Sequence, residues 1–145
     1  MFKITAHLLT VALIACCSTM SSRAETPEEW VTLGTRVHGF FGGFIPAGIR
    51  IGLDAKERLK AGPRKLSILY YQGVKVPWPC IVDGVMLATQ ANPGQGNVQI
   101  ASVKAPPGSL AVIVIRDRQT GEGLRYTVSD EWLPQDTALE SRTIR

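Results

Sequence analysis

Outside the N-terminal segment the sequence has one histidine, His38, and one cysteine, Cys80. Imidazole and thiolate groups bind transition metals and act as bases and nucleophiles. A zinc site needs three or four His, Cys or carboxylate ligands that converge. A serine hydrolase needs a GxSxG turn, and a P-loop needs glycines with a lysine; the sequence has none of these patterns, and no CxxC or HxH pair. The residues therefore favour a non-enzymatic role over an enzyme. A divalent transition metal held by His38 and Cys80 stays open.

Residues 1–24 have the pattern of a bacterial secretory signal peptide. A positive start at Lys3 precedes an apolar stretch, and Ser22, Arg23 and Ala24 form a small-x-small cleavage pattern. The run before Cys16 also resembles a lipobox, which would instead leave a lipidated cysteine. We expect cleavage after Ala24 and a periplasmic or secreted protein, with no transmembrane segment left after cleavage.

The charge of the remaining chain argues against nucleic acid as a partner. The sequence has 16 basic and 12 acidic residues, and removal of Lys3 and Arg23 leaves 14 and 12. The remaining cations are scattered along the chain rather than clustered, whereas nucleic-acid binders concentrate them. Cys80 is left as a single cysteine, which forms no internal disulfide. Its flanking residues favour a buried apolar thiol over one that lines a site.

Two helices are predicted at the start of residues 25–145. Thr26, Pro27 and Glu29 make a helix start with a capping box, and an apolar stripe follows at Trp30, Leu33 and Val37. The second helix runs from Pro46 to about Gly62, with Ile49, Leu53 and Leu59 turned inward. Gly48 and Gly52 lie four residues apart in it, which predicts the close approach of another backbone.

The rest of the chain predicts one strand, a short helix and a run of strands. The strand is KLSILYY, and NPGQGN is a turn. CIVDGVMLATQ is compatible with a strand or a helix, and the shared face of Ile81, Val85 and Ala88 favours a short helix. The strands NVQIASVKA, LAVIVIRD and LRYTVS follow, with a last helical turn in DEWLPQ and a frayed tail from about residue 135. This order predicts one α+β domain over residues 25–145, with a largely antiparallel sheet and the N-terminal helices packed on it.

Two runs resemble the FmdE family, whose domain is a component of formylmethanofuran dehydrogenase. HGFFGGFIPAGIR is similar to that family's His-Gly-His-x-Cys-Pro-Gly run followed by Gly-x-Arg, and matches it at His38, Gly39, Gly48 and Arg50. DGVMLATQANPGQGN is similar to the family's Asp-to-Asn run. The matches there are Asp83, Thr89, Gly94, Gly96 and Asn97.

The departures from the family pattern fall where family members look like metal binders. Phe40 stands at the second histidine, Gly42 at the first cysteine and Ala91 at the second cysteine. Gly43 replaces the following proline and Gln95 replaces the lysine. The resemblance therefore implies the family's fold with most of the ligand side chains missing, so that a metal held at His38 alone would bind weakly.

From the resemblance we expect a ligand pocket between HGFFGG and QANPGQGN. Its expected residues are His38, Gly39, Phe40, Arg50, Asp83, Thr89, Asn92, Gly94, Gly96 and Asn97. Arg50 is expected either to pair with Asp83 or to anchor an anionic ligand, and the Asn92–Asn97 turn is either a connector or a nest of backbone N–H groups. His38 is either a histidine at a helix C-terminus or a remnant of a ligand site.

The function expected first is a periplasmic, non-enzymatic protein that binds a small ligand or a protein partner. The alternative is a metal-binding protein or metallochaperone, or part of an enzyme complex of one-carbon (formyl or formaldehyde) redox metabolism, using His38 and Cys80. A homodimer through an exposed apolar strand is also open.

Overall fold

A computed structural model describes residues 24–76 and 78–132. The predicted signal peptide, apart from Ala24, and the predicted tail lie outside these residues. The chain divides into two compact units, Met1–Trp30 and Val31–Arg145. The described part of the first unit, residues 24–30, contains the start of the first helix. No helix within the described ranges combines the length and the apolar character that crossing a membrane requires.

Helix α1, Pro27–His38, begins with the predicted capping box. The Thr26 backbone N–H donates to Glu29 Oε2 at 2.7 Å, and the Glu29 N–H donates to Thr26 Oγ1 at 3.3 Å. The predicted apolar stripe is not a buried face, since Leu33 is 38% exposed and Val37 is 56% exposed. The buried residue of α1 is Gly34. The Phe41 ring packs directly against it, so that a side chain at this position would overlap the ring.

Helices α2, Phe44–Arg58, and α3, Cys80–Thr89, pack against each other through glycine. A Cβ built on Gly48 would overlap the Ile81 carbonyl oxygen, and one on Gly84 would overlap the Ile45 carbonyl oxygen. The predicted close approach of a second backbone is confirmed. The inward placement predicted for Leu53 is wrong: its side chain is 40% exposed, because the glycine contact turns that face of α2 away from α3.

Four strands form one sheet in the order β2-β1-β3-β4. Their bounds are β1 Leu66–Gln72, β2 Val98–Ile100, β3 Ser109–Asp117 and β4 Gly123–Ser129. The β1–β3 and β3–β4 pairs are antiparallel, and β1–β2 is parallel, with α3 as the crossover. The predicted α+β class with a largely antiparallel sheet is therefore confirmed.

One predicted strand is shorter than its sequence pattern. The strand predicted over residues 97–105 is regular only at Val98–Ile100, although the N–H groups of Ala101 and Ala105 still donate to Tyr70 and Gln72 of β1. The predicted final helical turn is, in the described residues, a 3-10 turn at Asp130–Trp132.

The core lies between the helices and one face of the sheet. Leu66, Ile68 and Tyr70 alternate along β1 toward this core, and Ile81 and Val85 of α3 belong to the same buried cluster. The burial of apolar side chains here is what holds α3 against the sheet. The opposite face of the sheet carries the intervening residues of each strand, including Leu69 and Tyr71 of β1.

Candidate functional site

His38 and Asp83 form a close side-chain pair between two helices. His38 is the last residue of α1 and Asp83 lies in the first turn of α3. His38 Nδ1 is 2.6 Å from Asp83 Oδ2, and the two side chains are 13% and 29% exposed. When Nδ1 carries the proton and donates to the carboxylate, Nε2 keeps a lone pair for a second partner. The pair therefore orients the imidazole.

Local backbone conformation places His38 at this position. Gly39 has φ +92° and its N–H donates to the Thr35 carbonyl oxygen at 2.9 Å, which ends α1 directly after the histidine. The Phe40 ring then lies 4.9 Å from the imidazole, measured between ring centroids, and is 60% exposed. The Phe40 ring therefore lies along one side of the imidazole and is itself exposed to solvent.

Cys80 lies one helical turn before Asp83, as the first residue of α3. Its side chain is half-buried rather than the fully buried thiol expected from the sequence. Burial raises the pKa of the Cys80 thiol, and the nearby Asp83 carboxylate raises it further. A raised pKa lowers the fraction of thiolate, which is the form that attacks substrates.

A buried tyrosine that the sequence did not identify lies near this group. Tyr70 is fully buried, and among the described residues its hydroxyl has no hydrogen-bond partner. Burial raises the pKa of Tyr70 to about 12, and the charge of Cys80 contributes in the same direction. No sequence pattern predicts that the Tyr70 hydroxyl lacks a hydrogen-bond partner in the described part of the chain, because this depends on how β1 packs against α3.

The residues present do not fit a transition-metal centre. Within residues 24–76 and 78–132 no three His, Cys, Asp or Glu side chains converge. Asp83 orients His38 and leaves Nε2 as one available ligand atom, which falls short of the three or four ligands that such a centre needs. The metal expected at His38 and Cys80 therefore lacks a full ligand set in this part of the chain.

Arg50 is not the partner of Asp83, contrary to one of the two roles expected for it. Asp83 pairs with His38, whereas Arg50 is exposed on α2 and lines a hollow of about 490 Å³. Pro46, Val128 and Trp132 line the same hollow. Its wall is extended by contact between the Phe44 and Trp132 rings, with centroids 5.4 Å apart. The second expected role, an anion anchor, stays a prediction.

The Asp-to-Asn run ends in a turn whose polar groups bind one another. The Thr89 hydroxyl donates to the Val85 carbonyl oxygen at 2.7 Å. Asn92 Oδ1 accepts from the Gln95 N–H at 3.1 Å, and Asn97 Oδ1 accepts from the Asn92 N–H at 3.0 Å. The buried Asn97 also donates from Nδ2 to the Leu66 carbonyl oxygen at 3.0 Å, tying the turn to β1.

This bonding favours a connector over a nest of free N–H groups. Gly96 has φ +65° and caps the 3-10 turn Pro93–Gln95, and Gly94 lies within it. Gly96 thus has a conformational role in joining α3 to β2.

The two family-like runs lie at opposite ends of α3. Gly48 contacts Gly84, and Gly52 contacts Ala88, so α2 and α3 run in the same direction. His38 of the first run contacts Asp83 at the N-terminal end of α3. The Asn92–Asn97 turn follows the C-terminal end of α3. Asp83 and Thr89 alone are separated by about 9 Å of helix rise.

Residues of the two runs line separate hollows in the described part of the chain, and a pocket between the runs stays a prediction. Gly43 of the first run lines the Arg50 hollow, whereas Gly96 and Asn97 of the second line a different hollow on the sheet. Of the ten expected pocket residues, the structure brings together His38, Phe40 and Asp83, with Gly39 setting the bend between them.

Comparison with known protein families identifies a relationship that spans both runs. A family model described as "FmdE, Molybdenum formylmethanofuran dehydrogenase operon" matches residues 37–144. No curated protein matches the chain.

Proposed function

Because this chain belongs to the FmdE family, we propose that it is an exported, non-enzymatic accessory protein that binds a small ligand at the His38–Asp83 pair. The observation that carries the proposal is the 2.6 Å contact between His38 Nδ1 and Asp83 Oδ2. It joins the histidine of one family run to the aspartate of the other. Export is inferred from the signal-peptide pattern of residues 1–24.

The chemistry of the pair indicates the class of ligand. With Nδ1 committed to Asp83, His38 Nε2 is an acceptor for an N–H or O–H group. The Phe40 ring provides an apolar surface at 4.9 Å, and the partly exposed Asp83 adds acceptor capacity. We therefore expect a small organic molecule with a hydrogen-bond donor next to an apolar part.

The competing function uses His38 and Cys80 for metal binding or for catalysis. Cys80 lies one turn from Asp83, which is the observation in its favour. The raised pKa of the thiol opposes catalysis, because the thiolate is the form that attacks substrates. Metal binding is opposed by the absence of a third converging ligand among the described residues. A non-enzymatic binding role is consistent with both the geometry and the protonation of Cys80.

Native mass spectrometry of the exported protein, purified without chelators, tests the proposal. We expect a bound organic molecule whose occupancy is lost in His38→Ala and kept in Arg36→Ala, a matched change on an exposed position of the same helix. Elemental analysis is run on the same samples. Stoichiometric zinc, iron or copper that disappears in both His38→Ala and Cys80→Ala would overturn the proposal in favour of the metal-binding alternative.

A further inference from the structure

The sheet has a second face, away from the helices, that is basic. We call this surface the arginine face. By strand alternation and register it consists of Ser67, Leu69, Tyr71, Gln99, Val112, Val114, Arg116, Arg125 and Thr127. Its charged side chains within the strands are the two arginines, and Lys104 of the β2–β3 loop lines the same surface. No carboxylate occurs at these strand positions.

The two arginines lie side by side. Arg116 of β3 is paired with Gly123 of β4, and Arg125 is two residues further along β4, opposite Val114. Diagonal neighbours of this kind have Cα atoms about 7–8 Å apart. The Arg116 side chain extends over Gly123, where a built Cβ would lie 2.9 Å from its Cγ. A glycine at this position leaves room for the guanidinium to lie along the sheet.

Neither arginine is neutralised within the described residues. The ion pairs there join His38 to Asp83, Arg58 to Asp54 and Lys75 to Asp130. Two adjacent guanidinium groups that share no carboxylate repel each other. An anionic partner that pairs with both groups would remove this repulsion.

The arginine face also has the shape of a shallow groove. One hollow, of about 330 Å³, is lined by Gln99, Ser67 and Arg116 among others, and a second, of about 270 Å³, by Lys104 and Arg125. The two hollows share Tyr71 and Val114, so they adjoin. Together they cross the sheet from β2 to β4, a span of three strand spacings or about 14 Å.

We propose that the arginine face binds an extended acidic peptide segment of a partner protein. Carboxylates at alternate positions of an extended chain are about 7 Å apart, which matches the spacing of Arg116 and Arg125. About four extended residues span the groove, and Tyr71 with Val114 provides apolar contact between the charges. This inference is independent of the ligand proposed at His38.

A peptide fits this surface better than single-stranded nucleic acid. Sequence-tolerant binding of single strands relies on several aromatic side chains that stack on successive bases. The strand positions of the arginine face provide one aromatic ring, Tyr71. The net charge of the whole chain, +4, is also small.

Fluorescence anisotropy with a labelled Glu-Thr-Glu-Thr-Glu peptide tests the inference on the full chain. We expect binding at low salt that weakens as salt is added, and no binding of the Gln-Thr-Gln-Thr-Gln peptide. Arg116→Gln with Arg125→Gln should weaken binding about tenfold, because two charge-assisted contacts are removed. The control pair Arg36→Gln with Lys56→Gln removes equal charge from the helices and should leave binding unchanged.

Several outcomes would overturn the inference. These are no binding of the acidic peptide, equal weakening in both double variants, or tighter binding of a short oligothymidylate than of the peptide. Circular dichroism melting of each variant shows whether it is folded. The charge-reversed pair Arg116→Glu with Arg125→Glu should exchange the preference to a Lys-Thr-Lys-Thr-Lys peptide, a gain that loss of folding does not produce.

Discussion

The Asp83 carboxylate acts on two neighbours at once. It accepts from the imidazole of His38 at 2.6 Å and raises the pKa of Cys80 one turn away. Asp83 thus orients the imidazole of His38 and lowers the thiolate fraction of Cys80. The arrangement supports binding at His38 and disfavours covalent chemistry at Cys80.

Alkylation of Cys80 with iodoacetamide measures this effect. Because the thiol pKa is raised first by burial and then by Asp83, less thiolate is present at about pH 8 than in free cysteine, and the reaction should be slower. Asp83→Asn removes the negative charge, lowers the pKa and should speed the reaction, with a rate–pH midpoint at lower pH. Asp54→Asn, on α2, is the control. Equal acceleration in both variants would contradict the assigned role of Asp83.

Two tyrosine hydroxyls, one with and one without a hydrogen-bond partner among the described residues, test how such a partner affects stability. Tyr70 has no partner for its hydroxyl in the described chain, whereas the Tyr126 hydroxyl donates to Asp54 Oδ2 at 2.5 Å. Tyr70→Phe should raise the free energy of unfolding by about 1 kcal/mol, since it removes an unsatisfied buried group. Tyr126→Phe should lower it by about 1 kcal/mol. Urea denaturation checks both, and a loss of stability in Tyr70→Phe would indicate a partner for that hydroxyl.

At the scale of elements, the contact between α2 and α3 determines where the site residues lie. Gly48 and Gly84 let the two backbones touch, which holds the first turn of α3 beside the start of α2. Asp83 directly precedes one of these glycines. The geometry of the His38–Asp83 pair thus depends on a helix contact that neither side chain makes.

Gly48→Ala tests this contact. The added methyl group would overlap the Ile81 carbonyl oxygen, and because both atoms belong to helices, relief requires the helices to move apart. We expect a loss of about 2–3 kcal/mol in the free energy of unfolding, measured by urea denaturation. Gly43→Ala is the matched control, because a Cβ there meets nothing within 4 Å and φ is −57°; it should change stability by less than about 1 kcal/mol. Similar values for the two variants would refute the close contact.

At the scale of the whole molecule, the two surfaces lie on different layers. The His38–Asp83 pair belongs to the helices, whereas the arginine face is the side of the sheet turned away from the core. The ligand proposed at His38 and the peptide proposed at the arginine face would therefore not compete for the same surface. The family match covers both layers.

Processing of the N-terminus is testable on the intact protein. Cleavage after Ala24 should give a mature chain that begins at Glu25, found in the periplasmic fraction. Intact mass measurement of the exported protein checks this. A mass that corresponds to a chain starting at a diacylated or triacylated Cys16, or globomycin sensitivity of processing, would show lipoprotein processing instead.

The sequence alone determined the features that depend on neighbouring residues. The capping box at Thr26 and Glu29, the short helix at Cys80–Thr89, the turn at Asn92–Asn97 and the β3–β4 hairpin all follow from local hydrogen bonding and backbone preference. The two glycine runs and their resemblance to one family were also visible without coordinates.

Only the tertiary structure decided which distant side chains meet. From the sequence, Arg50 was the residue expected to pair with Asp83. The structure places His38 there instead and turns Arg50 toward β4. The exposure of Leu33 and Leu53, the isolated hydroxyl of Tyr70 and the adjacent arginines of β3 and β4 likewise depend on packing and strand register. Such contacts join residues far apart in the chain, and local periodicity carries no information about them.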